Sequence, residues 1–271
     1  MNNIYSEHIH PSELGDTQYV HRIGLSLSGG GVKGIAHLGV IQAMEERGWA
    51  PNIISGVSAG AIAGALYADG HTPKEICRFL RESGYFHYVS LGITTGKGLM
   101  SNHRFASLLE SFMKARTFEE LKMPVIINAT ELVEGVNVYF HTGTLIDKII
   151  ASSSVPVVLT PAEINGKMYV DGGIFCNMPA QIIRPLCRTL IGVHVNPIIN
   201  QGRISNIKDI AERVYHLTIQ ANTVAEKQVC DLVVEPVKAR NYGMFEKSKG
   251  QEIFDIGYQA AVETFDKARL F

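Results

Sequence analysis

From residue 22 onward the chain alternates between short apolar runs and segments with helical spacing. Residues 23–27 read as a first strand, ended by Ser28 and a run of glycines. Residues 32–47 carry Val32, Ile35, Ala36, Val40, Ala43 and Met44 on or near one face, which predicts a helix, with Gly48 as its stop. A second strand over 52–57 and a helix of small residues over 59–68 follow. Thr72, Pro73 and Glu75 form the N-terminal signature of a third helix, with a threonine cap, proline in the first turn and glutamate three residues on. Residues 85–102 are aromatic without a clear period and read as a loop or lid, and 105–113 as a helix. Strands are predicted at 124–131 and 136–141, close enough to pair, then a helix from Thr144 towards Ser152. Further strands are expected at 168–170, 190–195 and 232–235, with helices at 207–226 and 252–269. Alternating strands and helices define an α/β fold with a mostly parallel central sheet and helices on both faces. Residues 1–20 read as an N-terminal arm and 21–271 as a single domain.

Composition narrows the classes of function. With 271 residues and 46% hydrophobic content the chain can bury one large α/β core. A net charge of −1 and a pI near 6.8 give no electrostatic case for nucleic acid. The polar N-terminus lacks the basic and apolar regions of a secretory signal, and no run of eighteen apolar residues suggests a membrane span. Cys77, Cys176, Cys187 and Cys230 are scattered without a CxxC pair, and the histidines form no HxxxH pair. No metal and no cofactor is expected, and reduced thiols point to the cytoplasm.

Three glycine-bearing signatures carry the chemistry: Gly29-Gly30-Gly31-Val32-Lys33-Gly34, Gly56-Val57-Ser58-Ala59-Gly60 and Asp171-Gly172-Gly173. Ser58 lies between an apolar strand and a helix of small residues, where a sharp turn lifts a hydroxyl to the top of a sheet. Gly29, Gly30 and Gly31 sit where the first strand turns into the first helix, so their amides can hold an oxyanion. A dinucleotide site would want a carboxylate at the end of the second strand, and Ser58 occupies that place. Lys33 could meet a substrate phosphate, but its ordinary reading is a solvated helix lysine. A triad needs a histidine; His194 and His216 are the candidates, and both read more simply as structural. Asp171 ends a strand beside two glycines, and partial burial would make it a base able to take the Ser58 proton directly.

The three signatures in this order resemble the patatin-like phospholipase family. The stretch Ala151-Ser152-Ser153-Ser154-Val155-Pro156, the run Tyr169 to Gly173, and Asn177-Met178-Pro179 strengthen the likeness. The resemblance implies a patatin-like three-layer architecture. It also implies a Ser-Asp dyad, with Ser58 as nucleophile, Asp171 as general base and the Gly29–Gly31 amides as oxyanion hole. The expected activity is hydrolysis of lipid carboxylic esters, such as phospholipids or lysophospholipids, through an acyl-serine. The expected partner is a lipid or acyl-ester substrate, with transient contact at a membrane or micelle surface. One departure is Lys33, where many members have arginine, so a forked phosphate contact is replaced by a single one. The acyl pocket is expected from Tyr85, Phe86, Tyr88 and Leu91. A triad-type esterase or acyltransferase and a non-catalytic lipid-binding protein are the competing classes.

Overall fold

A computed structural model of the chain describes residues 20–83, 103–156, 159–197, 207–242 and 249–268. Eight strands form one sheet: β1 (His21–Leu27), β2 (Ile53–Gly56), β3 (Val125–Glu131), β4 (Val136–Phe140), β5 (Ala162–Ile164), β6 (Lys167–Asp171), β7 (Cys187–Val193) and β8 (Leu232–Val234). The strands β3, β2, β1, β7 and β8 are neighbours in that order and all parallel. The strands β4, β5 and β6 extend the β3 end with antiparallel pairings. The parallel core is what the alternating pattern predicts, and short connections make the antiparallel pairs β3–β4 and β5–β6.

Seven α-helices are described: α1 (Ile35–Glu46), α2 (Ala59–Ala68), α3 (Pro73–Glu82), α4 (His103–Phe112), α5 (Ile146–Ser153), α6 (Ile207–Gln228) and α7 (Gly250–Lys267). The α3 capping box forms as expected, with the Glu75 amide donating to Thr72 Oγ1 and the Thr72 amide to Glu75 Oε2. Alternate strand residues divide between two cores. Leu25, Leu27, Ile54, Ile127 and Ile191 pack with residues of α1, α2, α3, α5 and α7. Ile53, Ile126 and Leu190 pack instead against Met178, Ile182 and Ile183. That second face is covered by the chain at 178–186 and by Val229 and Cys230, which follow α6. The C-terminal α7 returns to lie along α1, so both ends of the described chain meet in the first core.

Several boundaries differ from the sequence expectation. The first helix begins with a 3₁₀ turn at Gly31–Gly34. The strand expected at 190–195 runs over Cys187–Val193, leaving His194 beyond its end. The strand β5 was not anticipated; at three residues it is too short to show a period. The aromatic segment with Tyr85, Phe86, Tyr88 and Leu91 lies outside the described residues, as do residues 1–19 of the expected arm over 1–20.

Candidate active site

The strand β3 brings the two halves of the site together. A strand has two edges, and β4 occupies one of them along Ile127–Glu131. The other edge is shared. There β2 runs parallel to β3 and ends with Gly56 opposite Ile127, while β6 runs antiparallel and ends with Asp171 opposite Ala129. Two strands therefore approach head to head along one edge, and only Asn128 separates their last partners. Both chains must turn out of the sheet at this meeting point. Ser58 and Asp171 are the residues at the two turns.

Ser58 turns at φ 52°, ψ −120°, one of two non-glycine residues with positive φ among those described. A β-carbon resists that conformation, so packing must hold it. Two contacts do so. Gly60 lies so close to β1 that an added Cβ would fall 2.3 Å from the Leu27 carbonyl oxygen, so only glycine admits this approach. The Ser58 amide donates to Ser152 Oγ at 2.8 Å, from the last turn of α5. The same helix end holds the other half, where the Asp171 amide donates to the Ser154 carbonyl at 2.9 Å. The serine cluster after Ala151 thus links the Ser58 turn and the Asp171 turn. Asn128 ties down the far side by donating to the carbonyls of Gly172 and Cys176 at 3.2 and 3.0 Å.

Asp171 is fully buried. Its Oδ1 accepts from the Gly173 amide at 2.8 Å, while Oδ2 is buried without a hydrogen-bond partner of ordinary geometry. Burial pushes the carboxyl up to about 6, opposed by hydrogen bonding from the Ser58 hydroxyl, the Gly173 amide and the Tyr215 hydroxyl. Unliganded sites often hold such contacts loosely until substrate tightens them.

The glycine loop lies beside Ser58, with the ideal Cβ position of Gly29 3.4 Å from Ser58 Cβ. The Gly29 amide donates to the Asn177 carbonyl at 3.2 Å, so it braces the Asp171 loop. The Gly30 and Gly31 amides have no hydrogen-bond acceptor among the described residues, whereas all three glycines were expected as oxyanion donors. His37 supports this loop from below. Its ring lies fully buried with Nε2 donating to the Ser28 carbonyl at 2.8 Å, and burial lowers it to about 4, which keeps it neutral.

Lys33 corrects the sequence reading. It is buried, and its ammonium donates to Asn196 Oδ1 at 2.7 Å. The amide oxygen of Asn196, invisible as a partner in sequence, makes that burial tolerable. His194 is buried with Nδ1 2.8 Å from Glu235 Oε1, and His216 Nδ1 lies 3.4 Å from Asn196 Nδ2. Among the described residues no histidine contributes to the titration of Asp171. No grouping of histidine, cysteine or carboxylate suited to a metal occurs among the described residues.

Sequence reasoning passed over Ser152, Asn128, Asn222 and Tyr215. The serine sits in a stretch whose composition was notable, but a contact across 94 residues leaves no local signal. Asn222, on α6, donates to the carbonyls of Gly173 and Ile174 at 2.9 and 3.1 Å and accepts from the Asn177 amide at 2.9 Å.

A strained serine at a strand end, an adjacent glycine loop and a buried aspartate on a forked sheet place the molecule among α/β proteins with a sharp strand–serine–helix turn. More narrowly, the chain belongs to the patatin-like phospholipase family, whose family model matches residues 25–183. It is 32% identical over 160 residues to the uncharacterized NTE family protein Mb1092c of Mycobacterium bovis, covering 58% of this chain and 44% of that protein. It is 29% identical over 268 residues to Lysophospholipase NTE1 of Saccharomyces cerevisiae, covering 87% of this chain and 16% of that one. The chain thus spans less than half the length of these relatives. In fold it resembles VipD from Legionella pneumophila, with a TM-score of 0.53 at 14% identity, covering 91% of this chain and 67% of that one.

Proposed function

We propose that the protein is a serine acyl hydrolase that cleaves carboxylic esters of lipids with a Ser58–Asp171 dyad. The observation that carries this reading is the convergence of a strained, buried serine on a fully buried aspartate whose polar neighbours, among the described residues, include no histidine. Ser58 Oγ attacks the acyl carbonyl while Asp171 takes its proton. The Gly30 and Gly31 amides stabilise the oxyanion, a role typically worth about 10²–10³-fold in rate for one donor. Collapse returns the proton from Asp171 to the leaving alcohol and leaves the acyl group on Ser58. Asp171 then takes a proton from water as its oxygen adds to the acyl carbon, and passes it to Ser58 Oγ when the fatty acid departs. A carboxyl raised to about 6 is a better base at neutral pH than an ordinary aspartate, while still ionised there.

Family membership and the relative named a lysophospholipase make monoacyl phospholipids the first substrates to test. Transient contact with a lipid surface belongs to this reading. The exposed Ile210, Val214, Leu217 and Val224 of α6 favour it, and among the described residues no helix is long and apolar enough to cross a membrane. A cytoplasmic setting rests on four cysteines that are all free. We treat residues 21–271 as a single domain preceded by an arm, since one sheet joins strands from His21 to Val234.

The test is labelling and turnover together. A fluorophosphonate is expected to modify wild type at Ser58, and Ser58→Ala is expected to be unlabelled and inert on short aryl esters, lysophospholipids and diacyl phospholipids. Folded wild type that neither reacts with the probe nor hydrolyses any of these esters would overturn the proposal.

A further inference from the structure

The helix α6 presents two opposite faces. Tyr215, Asn222 and Glu226 are spaced by seven and four residues and so share one side. All three engage the segment that follows β6. The bonds from Asn222 fix Gly173, Ile174 and Asn177. The Glu226 carboxylate accepts from the amides of Ala180 and Gln181 at 2.8 and 2.7 Å. Tyr215, at the other end of the row, reaches the carboxylate itself. Its hydroxyl lies 3.2 Å from the ideal Cβ position at Gly173, a point only 3.0 Å from Asp171 Oδ1, so the phenol sits beside the carboxylate.

We propose that Tyr215 is a positioning residue for the dyad, its hydroxyl donating to the Asp171 carboxylate and fixing the oxygen that receives protons; this rests on the dyad reading above. The need for such a donor follows from counting hydrogen bonds through the cycle. In the free protein the Gly173 amide donates to Asp171, and the Ser58 and Tyr215 hydroxyls stand beside it as further donors. Once Ser58 is acylated its oxygen has no proton to donate, and two donors remain while Asp171 must take a proton from water. Without Tyr215 a buried carboxylate would be left with one amide, and the neutral acid, which cannot act as base, would gain. The phenol itself stays protonated, because burial and the facing carboxylate hold it well above its ordinary range. From β2, β6 and α6, the groups that face Asp171 are the Ser58 hydroxyl, the Gly173 amide and the Tyr215 hydroxyl. Among the described residues no charged side chain contributes to its titration.

The experiment follows hydrolysis of p-nitrophenyl butyrate against pH. Removing a donor to the carboxylate raises the pH at which the base ionises. Tyr215→Phe is therefore expected to move the acid limb of kcat/KM and of kcat up by about one unit, a loss of about tenfold well below the limb that fades above it. KM is expected to be little changed. Site-specific 3-fluorotyrosine at position 215, a stronger donor of nearly the same shape, is expected to move the limb down. It keeps the test open should the phenylalanine variant fail to fold. An acid limb that stays in place in the folded variants overturns the role of Tyr215. The dyad reading fails separately, if Asp171→Asn retains wild-type turnover.

Discussion

At the scale of single residues, the site is held at a cost in stability. The Asp171 carboxyl stands at about 6 against an ordinary 3.8, because burial disfavours its charge more than three donors favour it. An acid raised in this way supports the fold most when protonated; that contribution is complete below the ordinary value and is lost as pH rises through about 6. Asp171→Asn removes the charge and keeps the shape. It is expected to be more stable than wild type by up to about 3 kcal/mol above the folded value, with the difference vanishing at acid pH, while turnover falls by orders of magnitude. Denaturant titrations at several pH values check the first half and ester hydrolysis the second. Equal stability at all pH values would mean that the carboxylate is not destabilised by burial. The turns at Ser58 and Asp171 and the glycine loop were legible because each sits in a local pattern with a backbone reason for its neighbours. Lys33 was misread since a charged residue on a helix is ordinarily exposed, and only the distant Asn196 shows otherwise. Tyr215 offered no cue, as a tyrosine within an amphipathic helix looks the same whether it packs, solvates or faces a carboxylate.

At the scale of elements, strands and helices were legible wherever a period had room to show. The helix α2 runs over the expected Ala59–Ala68, and α6 ends two residues beyond expectation. What α6 does was not legible, because its partners are backbone groups of a loop brought near by the sheet. Asn222 alone satisfies two carbonyls and one amide of that loop. Asn222→Ala is expected to destabilise the protein by about 1–3 kcal/mol, since partly buried backbone groups lose their partners. It is also expected to slow turnover with KM nearly unchanged, because the Asp171 turn loosens while the rest of the site stays. Urea melts and steady-state kinetics on the same preparation separate the two effects.

At the scale of the whole molecule, a second buried group opposes the first. His37 titrates at about 4 against an ordinary 6.5, lowered by burial and by the facing His194. A base lowered in this way supports the fold above its ordinary value and loses that contribution as pH falls towards about 4. Acidification through this range is expected to cost about 3 kcal/mol from His37, partly offset by the protonation of Asp171. His37→Gln, which keeps a donor for the Ser28 carbonyl, is expected to flatten the acid side of the stability profile. A profile as steep as wild type would assign the acid sensitivity elsewhere.

The meeting of β2 and β6 on one edge of β3 has a consequence for how such a chain can vary in length. A change of length in a loop outside β3 leaves the register of these two pairings as it is. The stretch from Ile127 to Ala129 cannot change in length, for it acts as a ruler whose single intervening residue sets the gap between two turns. One inserted residue would reverse which side chains face each layer. Two would restore the facing but drive serine and aspartate apart by about 7 Å, beyond the reach of any proton transfer between them. Tolerance to insertion should therefore collapse over three positions of one buried strand, far in sequence from both reacting groups.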